Sequence, residues 1–228
     1  MESAEAHLVR ERDRLVLLFT PPFDHSEPNP GYIMGYPPGL RENGGQYTHG
    51  SLWMAMAWAR LREGEKAVRL LQLMNPIESN RSPADVARYH GEPYVTAGDV
   101  YAASGRVGQS GWTWYTGSAA WMYRIWIEEV LGFRLRGDRF TIEPSIPADW
   151  PGFELSYRHG STVYEIKVVR NEQESPALEL DGEAVGFVLL EDTGTTHRVT
   201  VRLNTVAQPA PAQTASAPAP ELLLTAPE

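Results

Sequence analysis

A guanidinium, a carboxylate, an amide and an imidazole fall within one short stretch, Gly35–Gly50, which reads GYPPGLRENGGQYTHG and supplies Arg41, Glu42, Asn43 and His49 behind the ring of Tyr36. A second stretch, Gly111–Arg124, reads GWTWYTGSAAWMYR and adds the hydroxyls of Thr113 and Thr116 beside Gly117. Each sets hydrogen-bonding loop residues at the mouth of an apolar helical pattern, and aromatic rings crowd both. These residue types suit a sugar, whose apolar faces stack on flat rings while carboxylate, amide and guanidinium groups take the hydroxyls. An ionised carboxylate such as Glu42 accepts two hydroxyls in short, charge-assisted bonds. A helix start with unsatisfied N–H groups beside His49, or beside Thr116, suits an anion such as phosphate.

Other readings stand beside these. Glu42 is a helix-capping or solvated loop residue, Arg41 pairs with Glu42, and Tyr36 packs in its Tyr-Pro-Pro turn. His49 is a structural hydrogen-bonder, Thr116 a helix cap, and Gly117 a packing residue beneath Trp121. Trp112 and Trp114 are the loop tryptophans that would serve as stacking platforms; Gln109 and Ser110 border the same cleft.

The elements that must hold these residues are read from periodicity. A helix is expected from about Ala4 to Phe19, ended by Pro21-Pro22. A long Pro- and Gly-rich loop then runs to Gln46, a length that usually signals function. Gly44-Gly45 there gives a close approach for a substrate or another backbone. Helical patterns over Tyr47–Arg62 and Glu65–Met74 make an αα-hairpin, stopped by Asn75-Pro76. Ser82-Pro83-Ala84-Asp85 opens a short helix, and a stronger one spans Gly117–Leu131. After Gly132 the period falls to two: Phe153–Tyr157 and Tyr164–Val168 form a hairpin through His159-Gly160, with further strands at Arg139–Glu143, Leu178–Leu180, Phe187–Leu190 and Arg198–Leu203. From Ala207 the chain is Ala, Pro, Gln, Ser and Thr, a composition that cannot offset its ordering entropy.

The 228 residues carry a net charge of −9 without any run of Lys or Arg, which argues against a nucleic-acid partner. Cysteine is absent, removing disulfides, thiolate metal sites and cysteine nucleophiles. His7, His25, His90, His159 and His197 show no metal-ligand spacing, so no metal or cofactor is assigned. The acidic N-terminus is unlike a signal peptide, and no apolar run reaches the ~18 residues of a membrane span. A soluble, cytoplasmic chain is expected.

In their order and wording the two blocks resemble the C-terminal part of the catalytic region of glycoside hydrolase family 94. That family holds the inverting sugar phosphorylases, cellobiose phosphorylase among them, and the phosphorylase-like end of cyclic β-1,2-glucan synthases; the wording here is most similar to the synthase branch. The resemblance implies an α+β fold: the last helices of an (α/α)6 barrel over 1–132 and a small antiparallel β-sandwich over 133–204, while the composition beyond them marks 205–228 as a disordered Ala/Pro-rich tail. It also implies that Glu42, Tyr36 and Arg41 hold the acceptor sugar while His49, Thr116 and Gly117 hold phosphate, a co-substrate rather than a cofactor.

An inverting cleavage needs an acid on the leaving oxygen. In the family this is an Asp upstream of the matched blocks, and none of Asp13, Asp24, Asp85 or Asp99 sits in that context; Asp24 is the one considered as a substitute. The expectation is therefore a C-terminal fragment without its catalytic acid, sticky or unstable alone, or paired with an upstream catalytic segment or a homodimer partner. The parent would cleave or build β-linked glucans with α-glucose 1-phosphate as the other sugar, and a membrane-anchored parent with this segment on the cytoplasmic side stays open. The alternatives are a non-catalytic carbohydrate-binding fragment and a truncated product without function.

Overall fold

The structure, a computed structural model, describes residues 1–114, 116–171 and 177–204. The expected tail, 205–228, lies outside the described residues. The fold is α+β.

Helix α1 (Glu2–Leu8) is far shorter than the expected 4–19. It gives way to an antiparallel pair, β1 (Val9–Arg10) and β2 (Leu15–Val16), joined by a tight turn with Arg14 at φ 57°. Burial explains the correction. Leu15, Val16 and Leu17 are all 3% exposed or less. Leu15 and Leu17 enter a small cluster with Tyr89, Ala97 and Val100, whereas Val16 enters the main helical core. An extended segment sends alternate side chains to opposite faces and can feed two cores at once, which a helical stripe cannot.

After β3 (Gln46–Tyr47) come α2 (Thr48–Arg60) and α3 (Gly64–Leu73), the expected αα-hairpin. Leu52, Ala55 and Ala59 of α2 face Ala67, Leu70 and Leu71 of α3 in the main core. Helix α4 (Pro83–Tyr89) begins as expected, with Ser82 Oγ accepting from Asp85 N–H at 3.1 Å.

Helix α5 (Thr116–Arg124) runs on as a π-helical turn, Ile125–Val130, where one uniform helix over 117–131 was expected. Ile125 and Val130 are both fully buried. Residues five apart stand about 140° apart around an α-helix, and the wider turn brings them toward one side. It also lets the buried Glu129 accept from Arg60 Nε and Nη2 at 2.9 and 2.6 Å.

The remaining strands form two sheets. One runs β11 (Val188–Leu189), β6 (Arg139–Ile142), β5 (Phe133–Arg136); the other has the order β10 (Glu183–Val185), β9 (Ala177–Leu180), β12 (Thr196–Asn204), β8 (Thr162–Asn171), β7 (Gly152–His159). Phe133, Phe140, Ile142 and Val188 of the first sheet share a core with Tyr164, Ile166, Val168, Val199 and Val201 of the second. The expected hairpin is β7–β8. The expectation of a wholly antiparallel sandwich is corrected by β12, which pairs parallel with β8 from Thr196↔Val163 to Asn204↔Asn171. A parallel neighbour needs a long crossover, and the chain between β8 and β12 supplies it. Phe153 and Leu203 pack against both this core and the helical one. No described helix is long and apolar enough to cross a membrane.

Candidate functional site

Three segments distant in sequence are laced together beside the start of α2. β3 pairs antiparallel with β4 (Asp99–Val100), Tyr47 opposite Asp99. Thr48 N–H donates to Gly98 O at 3.0 Å, Gly98 N–H to Trp112 O at 2.6 Å and Gly111 N–H to Asp99 O at 2.8 Å. Ala102 N–H reaches Gly39 O at 2.8 Å. The two blocks singled out in the sequence therefore meet across β4.

Within the first block, Asn43 is fully buried and committed to the fold: Oδ1 accepts from Phe23 N–H at 2.7 Å, and Nδ2 donates to Phe23 O and Tyr36 O at 2.8 and 2.7 Å. The double glycine is also filled by protein. Gly44 (φ 78°) lies against Pro22, and a Cβ on Gly45 would meet Gly39 O at 2.9 Å, so another backbone, not open space, sets this approach.

Arg41 lies with its guanidinium 4.0 Å over the ring of Trp112 and 5.5 Å from that of Tyr36. Its Nε is 3.7 Å from Glu42 Oε2, an ion pair too long for a hydrogen bond. Both side chains are mostly buried, and Glu42 Oε2 has no hydrogen-bond partner. A buried acceptor left unpaired costs about 1–3 kcal/mol.

Asp99 went unassigned from sequence. It is 1% exposed, and its Oδ1 accepts from Trp112 N–H at 2.9 Å. Burial pushes its carboxyl above the usual carboxylate range; the Trp112 N–H and Arg41 pull the other way, and the charge of Glu42 adds to the rise. Gly111 sits so close to this carboxyl that any side chain there would collide with it. Asp99 thus ties the Arg41–Glu42 loop to the Trp112 loop. Its only sequence signal was an acidic residue beside a buried Val-Thr-Ala-Gly run.

His49 occupies the first turn of α2. Its ring stacks on Trp121 of α5 (5.7 Å, 27°) and meets Trp53 edge-on (5.1 Å, 79°). Its Nε2 is buried without a partner. Thr116 and Gly117 open the same α5 that brings Trp121 to His49. The Thr116 side chain lies outside the described part. Gly117 is exposed with nothing within 4 Å of where a Cβ would stand, so it is not packed beneath Trp121. Ser110 is buried and its Oγ unpaired. Asp24 sits at the surface, 3.6 Å from His25. Among the described residues no group of His, Asp or Glu could hold a metal ion.

Trp114 differs from its neighbours. It is 67% exposed at φ 61°, a left-handed conformation that costs a bulky residue of order 1–3 kcal/mol. Its Nε1–H donates to Glu92 Oε1 at 3.1 Å.

Comparison with known proteins gives these arrangements a context. The family model for the glycosyl hydrolase 94 superfamily catalytic domain matches residues 1–132. Over 171 residues, 75% of the chain, it is 45% identical to the cyclic beta-(1,2)-glucan synthase NdvB of Rhizobium meliloti (strain 1021), of which it spans 6%. It is 28% identical over 191 residues (82% of the chain, 23% of the relative) to the N,N'-diacetylchitobiose phosphorylase of Vibrio furnissii. It is 30% identical over 193 residues (82% and 25%) to the 3-O-beta-D-glucopyranosyl-beta-D-glucuronide phosphorylase of Paenibacillus borealis. The chain thus spans a quarter or less of these relatives.

Proposed function

The chain belongs to the glycosyl hydrolase 94 superfamily, and on that premise we propose that it supplies the acceptor-sugar and phosphate side of a carbohydrate phosphorylase-like site. The substrate would be a β-linked glucan, of β-1,2 linkage in view of the similarity to a cyclic beta-(1,2)-glucan synthase. The observation that carries the reading is a pair of buried, unpartnered polar atoms, Glu42 Oε2 and His49 Nε2, one in each half of the first family motif. Buried polar atoms are ordinarily paired, and a ligand with hydroxyls and an anionic group would pair both.

In the reaction, a phosphate oxygen attacks the anomeric carbon from the face opposite the glycosidic bond. That bond breaks, a carboxylic acid protonates the leaving oxygen, and α-glucose 1-phosphate forms with inversion. Glu42 accepts hydroxyls of the leaving sugar, and Tyr36 and the Arg41 guanidinium wall its pocket. His49 donates to phosphate at the N-terminal turn of α2, where helix N–H groups favour an anion, and Thr116 and Gly117 are assigned to the same anion. The acid is assigned to a segment upstream of these residues, and α2, α3 and α5 to part of an α/α barrel that such a segment would share.

The test is release of α-glucose 1-phosphate from β-1,2-glucooligosaccharides and phosphate, first by this chain and then by the chain mixed with the upstream segment. Release lost in His49→Ala and reduced in Glu42→Gln supports the assignment. Release by the mixture that neither substitution changes would refute the two roles. Release by this chain alone would place the acid within it.

A further inference from the structure

Resting on that sugar-binding reading, we propose that Trp114, Tyr94 and Glu92 form a further pyranose subsite, beyond the sugar held by Glu42, that grips the continuing glucan chain.

The two rings stand open to solvent, Trp114 at 67% and Tyr94 at 74% exposure, although aromatic side chains of this size are on average much more buried. Their centroids are 6.3 Å apart with planes at 65°, so together they make a corner and not a flat patch. Glu92 closes it. One of its oxygens fixes the indole through the 3.1 Å bond from Trp114 Nε1, and the carboxylate keeps capacity for a second donor. A sugar ring fits that combination: its apolar face stacks on an aromatic wall and a hydroxyl donates to the carboxylate. Phosphate does not, because the carboxylate would repel it.

The corner exists before any ligand arrives. Val95 N–H donates to Glu92 O at 3.3 Å, closing a turn around Tyr94, and Ser110 N–H donates to Tyr89 O at 2.8 Å, tying the end of α4, just before that turn, to the segment that leads into Trp112 and Trp114. The left-handed backbone at Trp114 turns its indole outward. An uncommon conformation at an exposed bulky residue is the kind of outlier from which function is inferred. The loop itself links the proposed subsite to the first. Trp112, two residues back, carries Arg41 on its face, and Arg41 pairs with Glu42. In the proposal, a chain leaving the Glu42 pocket runs past Trp112 to Trp114. Preformed walls add affinity because little ordering is left to do on binding.

The test is calorimetric titration of the chain with β-1,2-linked glucooligosaccharides of increasing length, from the disaccharide upward. Wild type is expected to bind longer chains more tightly than the disaccharide. Trp114→Ala should leave the disaccharide unchanged and lose the gain with length, about tenfold for the longer chains. Trp114→Phe should restore part of that gain, and Glu92→Gln should lose part of it. Trp114→Ala binding every length as wild type does would overturn the subsite while leaving the Glu42 reading intact. Disaccharide binding indifferent to Glu42→Gln would overturn the first reading, and no sugar binding by wild type would overturn both. Because Trp114 is exposed, an unchanged melting curve is expected to accompany its loss.

Discussion

In the paired sheets, Tyr164 is 1% exposed, yet its hydroxyl donates to Leu189 O at 3.1 Å and accepts from Glu191 N–H at 2.8 Å. Thr162, fully buried, accepts from Thr193 N–H at 2.8 Å and Gly194 N–H at 3.2 Å. Arg170 spreads its guanidinium over the carbonyls of Ile146, Pro147 and Trp150. Beside α2, by contrast, Glu42, His49, Asp99 and Ser110 each keep a buried polar atom with no partner. Among the described residues after Phe133, Ser145 Oγ is the exception that shares this condition. The sheets spend their polar groups on themselves, and the loops at α2 hold theirs back. The difference teaches where stability was optimised and where it was given up, which is the trade expected between scaffold and site.

That contrast can be broken or sharpened by substitution. The largest effect is expected in the sheets, where Phe140→Ala empties a fully buried aromatic position and should cost about 3–5 kcal/mol in a denaturant titration. Tyr164→Phe keeps the packing and strands two backbone groups; a loss of about 1–3 kcal/mol is expected by the same measurement. A loss near zero would mean that the sheets tolerate unpaired groups as the loops do.

Asp99→Asn should behave in the opposite way, remaining within about 1 kcal/mol of wild type at neutral pH or exceeding it. The sign follows from its raised carboxyl. The folded state holds that proton more tightly than the unfolded chain, so stability falls as pH rises from about 3.9 through the folded value. Asn has no such slope. Melting both proteins across acid to neutral pH checks it; wild type gaining stability over that window relative to Asn would reverse the assignment. Sugar affinity should drop in the same variant, since the two loops lose their charged tie.

The smallest effect is expected at Asp181, half exposed, whose carboxyl is held below the usual range first by the His197 hydrogen bond (2.7 Å) and then by Arg198 N–H. This depressed value contributes stability above the unfolded pKa that is lost as pH falls through the folded one. Asp181→Asn should cost a few tenths of a kcal/mol at neutral pH, as exposed pairs do, and nothing in strong acid. Melting at the two pH values decides it.

Much of this was legible beforehand for a physical reason. Helices α2 and α3 carry apolar residues at helical spacing, and Ser82-Pro83 caps α4 locally, so each was readable within one window. The β7–β8 hairpin likewise declares itself by alternation. Leu15-Val16-Leu17 was misread because its burial is shared between two cores built from distant residues. The direction of β12 was hidden because a period of two is the same in both directions. Asp99 escaped for a related reason: its importance comes from facing Tyr47, a pairing no local pattern encodes. Asn43 was noted only as a loop residue able to hydrogen-bond, because an amide in a loop looks the same whether it serves a sugar or Phe23.

The parallel strand β12 has a consequence for synthesis. It lies between β8 and β9, so the hairpin made by β7 and β8 and the one made by β9 and β10 have no partner in common until Thr196–Asn204 arrives. On the ribosome both hairpins emerge first and must wait with bare edges, the state most open to wrongful pairing with other chains. A chain interrupted after Thr195 would leave them so permanently. The charged side chains of Glu165 and Lys167 on β8 and Glu179 on β9 oppose such pairing during that interval, and once the sheet is complete Lys167 pairs with Glu154 and Glu179 with Arg202.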